Sequence, residues 1–274
     1  VGNKLTLESI FIEINKLIGL NKVKDKLCEI INLTQIQNER TKYGISNTPI
    51  NRHLVFLGSP GTGKTTIARI VGKFYKELGI LSSGHFIEAD RSMLIGGYLG
   101  QSALKTSELL KSAYGGVLFI DEAYSLYKDD DSYGNESIET ILKYMEDNRE
   151  DFILIVAGYE LQMRSFLNSN PGFKSRFNTF LEFHDYNQDE LFQILIKLSI
   201  DSGYNIDTSS YPKLNKIIKR ILELKGENFA NARTMRNFLE KSIRHQANRL
   251  ISYKGRTKND LLTLINDDFS YDDI

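Results

Sequence analysis

Gly58-Ser59-Pro60-Gly61-Thr62-Gly63-Lys64-Thr65 sets glycines, a lysine and a hydroxyl at the spacing GxxxxGK[ST], the pattern of a loop that grips nucleoside triphosphate phosphates. The glycines let the backbone curl so that successive N–H groups point inward at phosphate oxygens. Lys64 reaches the outer phosphates and Thr65 offers its hydroxyl to Mg²⁺, while Pro60, Gly61, Thr62, Gly63 and Thr66 complete the expected nucleotide-binding set. The flanks suit this role. Leu54-Val55-Phe56-Leu57 is a short apolar run, and Ile67, Ile70, Val71, Phe74 and Leu78 then recur at helical spacing up to Gly79, which suits a helix C-terminus.

A phosphate loop serves many reactions, so the residues around the γ-phosphate decide the chemistry. Val117-Leu118-Phe119-Ile120 reads as a buried strand that ends in Asp121 and Glu122. The carboxyl ends of strands are where an open α/β sheet binds its ligands. Asp121 is expected to complete Mg²⁺ binding with Thr65, and Glu122 to polarise the attacking water. Together they turn a binding loop into a hydrolytic site for a nucleoside triphosphate.

The elements that must carry these residues are readable from periodicity. Apolar runs at Leu54 to Leu57, His85 to Ala89, Val117 to Ile120, Phe152 to Ala157 and Thr179 to Phe183 alternate with helical patterns such as Ala103 to Tyr114 and Glu136 to Arg149. This rhythm predicts an α/β fold, a mainly parallel five-stranded sheet with helices on both faces. After about Tyr186 three helical patterns follow, Gln188 to Ser202, Tyr211 to Lys225 and Asn231 to Ile251, with Gly203 and Gly226 at their ends. The expected organisation is an N-terminal helical segment over 1–50, a phosphate-loop α/β subdomain over 51–186, a second, all-helical subdomain over 187–251 and, over 252–274, a mobile acidic tail or an extra element of unknown role.

Composition narrows the function classes. The 274 residues are 41% hydrophobic and 26% charged, enough for ordinary cores. Lys+Arg and Asp+Glu are both 35, so no global charge draws the chain to nucleic acid. No apolar run approaches the roughly 20 residues that span a bilayer, and no secretory pattern opens the chain. Cys28 is a lone cysteine, which fits a reducing cytoplasm, and the four histidines lack metal-ligand spacing. Val1 at the start suits an excised or processed piece of a longer protein.

More specific marks accompany the two ATP motifs. They are Gly97-Tyr98-Leu99-Gly100 before Lys105-Thr106, Gly115-Gly116 leading into the acidic strand with Ala123-Tyr124 after it, and Ala157-Gly158-Tyr159. Asn170-Pro171-Gly172-Phe173-Lys174-Ser175-Arg176-Phe177 and Asn231-Ala232-Arg233-Thr234-Met235-Arg236-Asn237 continue the series. In these features the chain, over about residues 10 to 250, resembles the AAA+ ATPase superfamily and within it the branch of red-type Rubisco activases and stage V sporulation protein K.

That resemblance implies roles position by position. Ile18-Gly19-Leu20 would lie against adenine, and Arg176 looks like the arginine finger that enters a neighbouring subunit's site. Arg233 resembles the sensor arginine of the helical lid, with Arg236 one turn further on as the alternative. Tyr98 and Leu99, expected to be exposed in a glycine-rich stretch, would form the pore loop that grips a polypeptide client. A second loop, Lys128 to Tyr133, is either pore-lining or a solvated acidic turn. Tyr159 stands where many relatives carry asparagine and is left outside the catalytic set. The implied protein is a homo-oligomeric ring, by family expectation a hexamer, that remodels a protein client. The competing readings are a nucleic-acid motor such as a helicase or clamp-loader subunit and a nucleotide-gated scaffold with little turnover.

Overall fold

The computed structural model describes residues 6–98, 100–127, 132–226 and 229–273. The chain packs as two compact units, Val1–Gly58 with Gly63–His184, and Ser59–Thr62 with Asp185–Ile274.

In the first unit the element order is α1 (Leu7–Asn15), α2 (Asn21–Lys42), β1 (Leu54–Gly58), α3 (Lys64–Glu77), β2 (Phe86–Ala89), α4 (Arg91–Leu94) and α5 (Gln101–Ser112). It continues with β3 (Val117–Ile120), α6 (Ser132–Asp147), β4 (Ile153–Gly158), α7 (Glu160–Ser169), α8 (Pro171–Arg176) and β5 (Thr179–Phe183). The five strands form one parallel sheet in the order β2-β3-β4-β1-β5. The central strands β1, β3 and β4 feed both faces because successive side chains alternate, whereas edge strand β5 buries only Leu181 and Phe183. Leu54, Phe56, Val117, Phe119, Ile153 and Ile155 pack with Ile10, Leu27, Ile31 and the apolar stripe of α3. Val55, Leu57, Leu118, Ile120, Leu154 and Val156 pack on the other side with Leu110, Ile138, Ile141, Met145 and Phe166. Two-faced burial explains why β1, β3 and β4 read as unbroken apolar runs.

The register sets the geometry of the site. Leu57 pairs with Gly158, and Ile120 pairs with Val156. β4 therefore lies between β1 and β3, and the phosphate loop, Tyr159 and the Asp121–Glu122 pair all leave the same carboxyl edge of the sheet.

The second unit holds α9 (Gln188–Asp201), β6 (Asn205–Ile206), α10 (Tyr211–Glu223), α11 (Ala232–Ile251), α12 (Lys258–Leu262) and β7 (Thr263–Leu264). α9 opens on a reciprocal capping box between Asn187 and Glu190. Gly203 follows α9 in the left-handed region that suits its end, whereas α10 closes at Leu224, before Gly226. Besides the expected helices, β6 pairs in parallel with β7, each only two residues long, too short to leave a period in the sequence.

The C-terminal residues are folded into this unit. Phe269 is buried and stacks with Phe238 of α11 at 6.2 Å between ring centroids. Gln246 donates to three backbone carbonyls, those of Asp260, Leu261 and Thr263. Asp268, 1% exposed, accepts both arms of the Arg249 guanidinium at 2.8 Å and the Ile265 N–H at 2.9 Å. Its bidentate geometry holds the Arg249 pKa above the ordinary value. Asp268→Ala leaves that guanidinium and amide without their acceptor, so urea unfolding should show a loss of about 3 kcal/mol. A loss below about 1 kcal/mol would show that the segment contributes little to this unit.

Among the described residues no helix is long and apolar enough to cross a membrane. None of their His, Cys, Asp and Glu side chains gathers in a group of three that could hold a metal unaided.

Candidate functional site

α3 begins directly at the phosphate loop. Gly61 and Gly63 take left-handed φ values of 72° and 95°, alternating with ordinary residues, so consecutive amides turn toward one side of the loop. No side chain caps the N-terminus of α3, whose first-turn N–H groups have no carbonyl partner within the helix. An anion fits such an end, and the helix dipole adds to the attraction. Thr62 is fully buried, its hydroxyl donating to the Ser59 carbonyl at 2.8 Å. Lys64 is 8% exposed and its ammonium donates to the Gly58 carbonyl at 2.9 Å, which folds the side chain back along the loop. Thr65 is half-buried and Thr66 exposed, both in the first turn.

At the end of β3, Asp121 is half-buried and Glu122 exposed. Asp121 accepts the Glu122 N–H at 3.0 Å, and Glu122 itself sits at φ 49°, a left-handed conformation unusual for a side chain of its size. The neighbouring Tyr124 was quoted in the sequence only as part of a motif. Its hydroxyl hydrogen-bonds the Glu122 carboxylate, and burial, followed by the charge of Glu122, pushes its pKa up to about 12. Tyr124 is therefore a protonated donor at any physiological pH. Its ring lies against the backbone of Gly158, where an added Cβ would come within 2.6 Å of a ring carbon. Gly158 is thus required by the tyrosine that holds Glu122, a role that no spacing in the sequence reveals.

The remaining candidates fall into two groups. Ile18, Gly19 and Leu20 form the bend between α1 and α2, with Gly19 and Leu20 at φ 61° and 59° and Leu20 packed on the sheet core. Tyr159 opens α7 and is 37% exposed. Tyr98 is 75% exposed, and its loop is pinned at the base, where the N–H groups of Gly96 and Gly97 donate to Ser102 Oγ and Gln101 Oε1. Leu99 lies outside the described residues, as does 128–131 of the second candidate loop. A cleft of about 780 Å³ has Ile95, Gly96 and Gly97 on one wall and Asp121, Glu122 and Ser125 on another.

Arg176 ends α8. Its guanidinium donates to the Gly172 carbonyl at 3.2 Å and pairs with Glu146 at 3.1 Å within the same chain. Its Nε is buried and lacks a hydrogen-bond partner among the described residues. Beneath lies His53, 4% exposed, whose ring nitrogen accepts the Leu154 N–H at 3.0 Å. Burial, then the charges of Arg176 and Arg52, pull the His53 pKa down to about 4, so it stays neutral. In the second unit, Arg233 and Arg236 are exposed in the first turns of α11, and neither side chain has an acidic partner among the described residues.

Comparison with known proteins agrees with this geometry. Residues 54–185 match the ATPase family associated with various cellular activities, and residues 187–273 match its lid domain. Stage V sporulation protein K of Bacillus subtilis (strain 168) is 40% identical over 266 residues, 96% of this chain and 83% of that protein. A chloroplastic ribulose bisphosphate carboxylase/oxygenase activase of Cyanidioschyzon merolae (strain NIES-3377 / 10D) is 40% identical over 262 residues, 92% of this chain and 85% of that protein. The AAA domain of FIGL-1 in complex with ADP superposes with a TM-score of 0.64 at 20% identity, over 98% of this chain and 83% of that one, which supports the fold. With a loop shaped for phosphates, two carboxylates on the same sheet edge and family matches spanning both units, the chain belongs to the AAA+ ATPases and is an ATP hydrolase that uses ATP with Mg²⁺.

Proposed function

We propose that this ATPase works in the cytoplasm as one subunit of a homo-oligomeric ring, a hexamer, that remodels a protein client through a central pore. The single observation that carries the reading is the cleft whose walls join the base of the Tyr98 loop to the Asp121–Glu122 pair. A change at the carboxylates as ATP is cleaved has only this short path to travel before it reaches an exposed aromatic side chain. In this reading Lys64, Thr65 and Asp121 hold ATP and Mg²⁺, Glu122 orients water, Ile18 to Leu20 line adenine, and Arg233 senses the γ-phosphate. Tyr98, with Leu99, grips the client through stacking and apolar contact, which need no particular client sequence. The metal chemistry supplied is charge neutralisation at the phosphates. Because no three-carboxylate cluster stands among the described residues, nucleotide and water oxygens must complete the metal's shell. The client is a protein, and the named relatives divide between Rubisco activation and sporulation.

Tyr98→Ala is the direct test. Basal ATP hydrolysis should stay within about twofold of wild type, because the ring is exposed and outside the hydrolytic set. Stimulation by an unfolded polypeptide such as casein, and ATP-driven unfolding of a tailed fluorescent protein, should disappear. Wild-type remodelling by Tyr98→Ala would remove the pore-gripping role. Stimulation by DNA that falls steeply with salt, in place of any response to polypeptide, would replace it with a nucleic-acid motor.

A further inference from the structure

Asn231 is the first residue of the Asn-Ala-Arg-Thr-Met-Arg-Asn motif, yet the roles above use only its arginines. It is fully buried and sits at φ 50°, ψ −121°, one of three described non-glycine residues with positive φ. Such strain in a buried polar residue persists only where its surroundings over-determine it. The surroundings here are three hydrogen bonds. The Asn231 carboxamide accepts the Tyr186 N–H at 3.0 Å, and donates to the Asp185 carboxylate at 2.8 Å and to the Pro60 carbonyl at 3.2 Å. Asparagine is the smallest side chain with an acceptor and two donors on one planar group.

The partners belong to two stretches far apart in sequence. Pro60 lies in the phosphate-loop segment Ser59–Thr62, which packs within the second unit, and Asp185–Tyr186 is where the chain leaves β5 for α9. The same junction is reinforced around Asn231. The Ala232 N–H donates to the Gly61 carbonyl at 3.1 Å, and the Tyr186 hydroxyl donates to the Thr62 carbonyl at 3.1 Å. Gly61 has no room for a side chain, since an added Cβ would stand 2.0 Å from the Ala230 carbonyl oxygen. Asp185 is also engaged by Lys225. Although burial favours the neutral acid, hydrogen bonds from Lys225, Asn231 and Ser59 hold its carboxyl below the usual carboxylate range.

We infer that Asn231 is a positioning residue for ATP binding: it fastens the outer phosphate loop to the turn that launches α11, and so sets Arg233 relative to the bound phosphates. The inference rests on the reading of Arg233 as the γ-phosphate sensor. Only Ala232 separates Asn231 from Arg233 at the start of α11, so loss of the fastening frees the arginine.

The experiment is a nucleotide titration of the full chain with a fluorescent ATP analogue, together with kcat and nucleotide-free thermal unfolding. Asn231→Gly keeps the left-handed backbone accessible and removes all three side-chain bonds. It should raise the ATP dissociation constant roughly tenfold, with a smaller change in kcat. Tyr186→Phe, which deletes a single hydroxyl and suits cases where the first variant unfolds, should raise it about threefold. In an Arg233→Ala background, Asn231→Gly should add less than about twofold, because the residue it positions is gone. Wild-type affinity in Asn231→Gly would mean that only backbone shape matters there, and would overturn the inference. Multiplicative losses in the double variant would overturn it as well. A different failure, Arg233→Ala binding ATP like wild type, would strike the sensor reading itself.

Discussion

Glu122→Gln should bind ATP with near wild-type affinity while its turnover falls by about 10²- to 10³-fold. The carboxamide has the carboxylate's shape and still accepts the Tyr124 hydroxyl, so the local packing around Gly158 survives. What it loses is the charge that draws a proton from the attacking water. Asp121 and Thr65 are untouched, and Mg²⁺ and the phosphates keep their partners. The kcat-against-affinity split therefore separates this position from Asp121→Asn, which should weaken metal-dependent binding as well. Steady-state phosphate release and an equilibrium nucleotide titration on the same preparation read both quantities. Turnover within about threefold of wild type would move the water-activating role elsewhere, with Tyr159 at the end of β4 as the next position to substitute. For the proposed ring, the trapped variant is also the form in which subunits are best counted, since ATP is held without being spent.

Legibility in the sequence follows chain distance. The sheet could be read because β1, β3 and β4 are buried on both faces and so present unbroken apolar runs, and the phosphate loop because its residues are contiguous. Asp121 and Glu122 were visible for the same reason, a strand whose end is marked by two charges. Tyr124 was visible as a letter but not as a partner of Glu122, since its placement depends on Gly158, 34 residues later in the chain. Asn231 hid behind the arginines that follow it. Its bonds reach back to Pro60 and Asp185, and its backbone conformation is one that a sequence pattern assigns to glycine. The pairing of β6 with β7 escaped because two residues carry no periodicity, and the C-terminal acids escaped because Asp268 reads as solvated until Arg249 covers it. Local spacing displays chemistry that one segment performs alone. Side chains that hold other side chains are seen only when the fold brings them together.

Arg176→Ala should lower kcat by about 10³-fold in the assembled ATPase, the scale on which an arginine finger acts. Within one chain the guanidinium is already occupied by Glu146 and the Gly172 carbonyl, so two roles compete for it. The pair with Glu146 is partly exposed, with the Glu146 side chain 58% accessible, and a pair of that kind contributes little to stability. It can therefore be exchanged for a phosphate at small cost, while the buried Nε without a partner is a donor that a finger would have to spare. If Arg176 served only its own chain, the variant would unfold at lower temperature and mixing would not help. If it acts across an interface, equimolar Arg176→Ala and Glu122→Gln subunits rebuild intact sites, because one kind supplies Glu122 and the other Arg176. Random mixing places both wild-type groups at roughly a quarter of the interfaces of a ring. Each variant alone keeps only a small residual turnover, so recovery of activity on mixing, growing with protein concentration, is the expected signature. Activity that never exceeds the sum of the two parents would return Arg176 to a purely intrachain role beside Glu146.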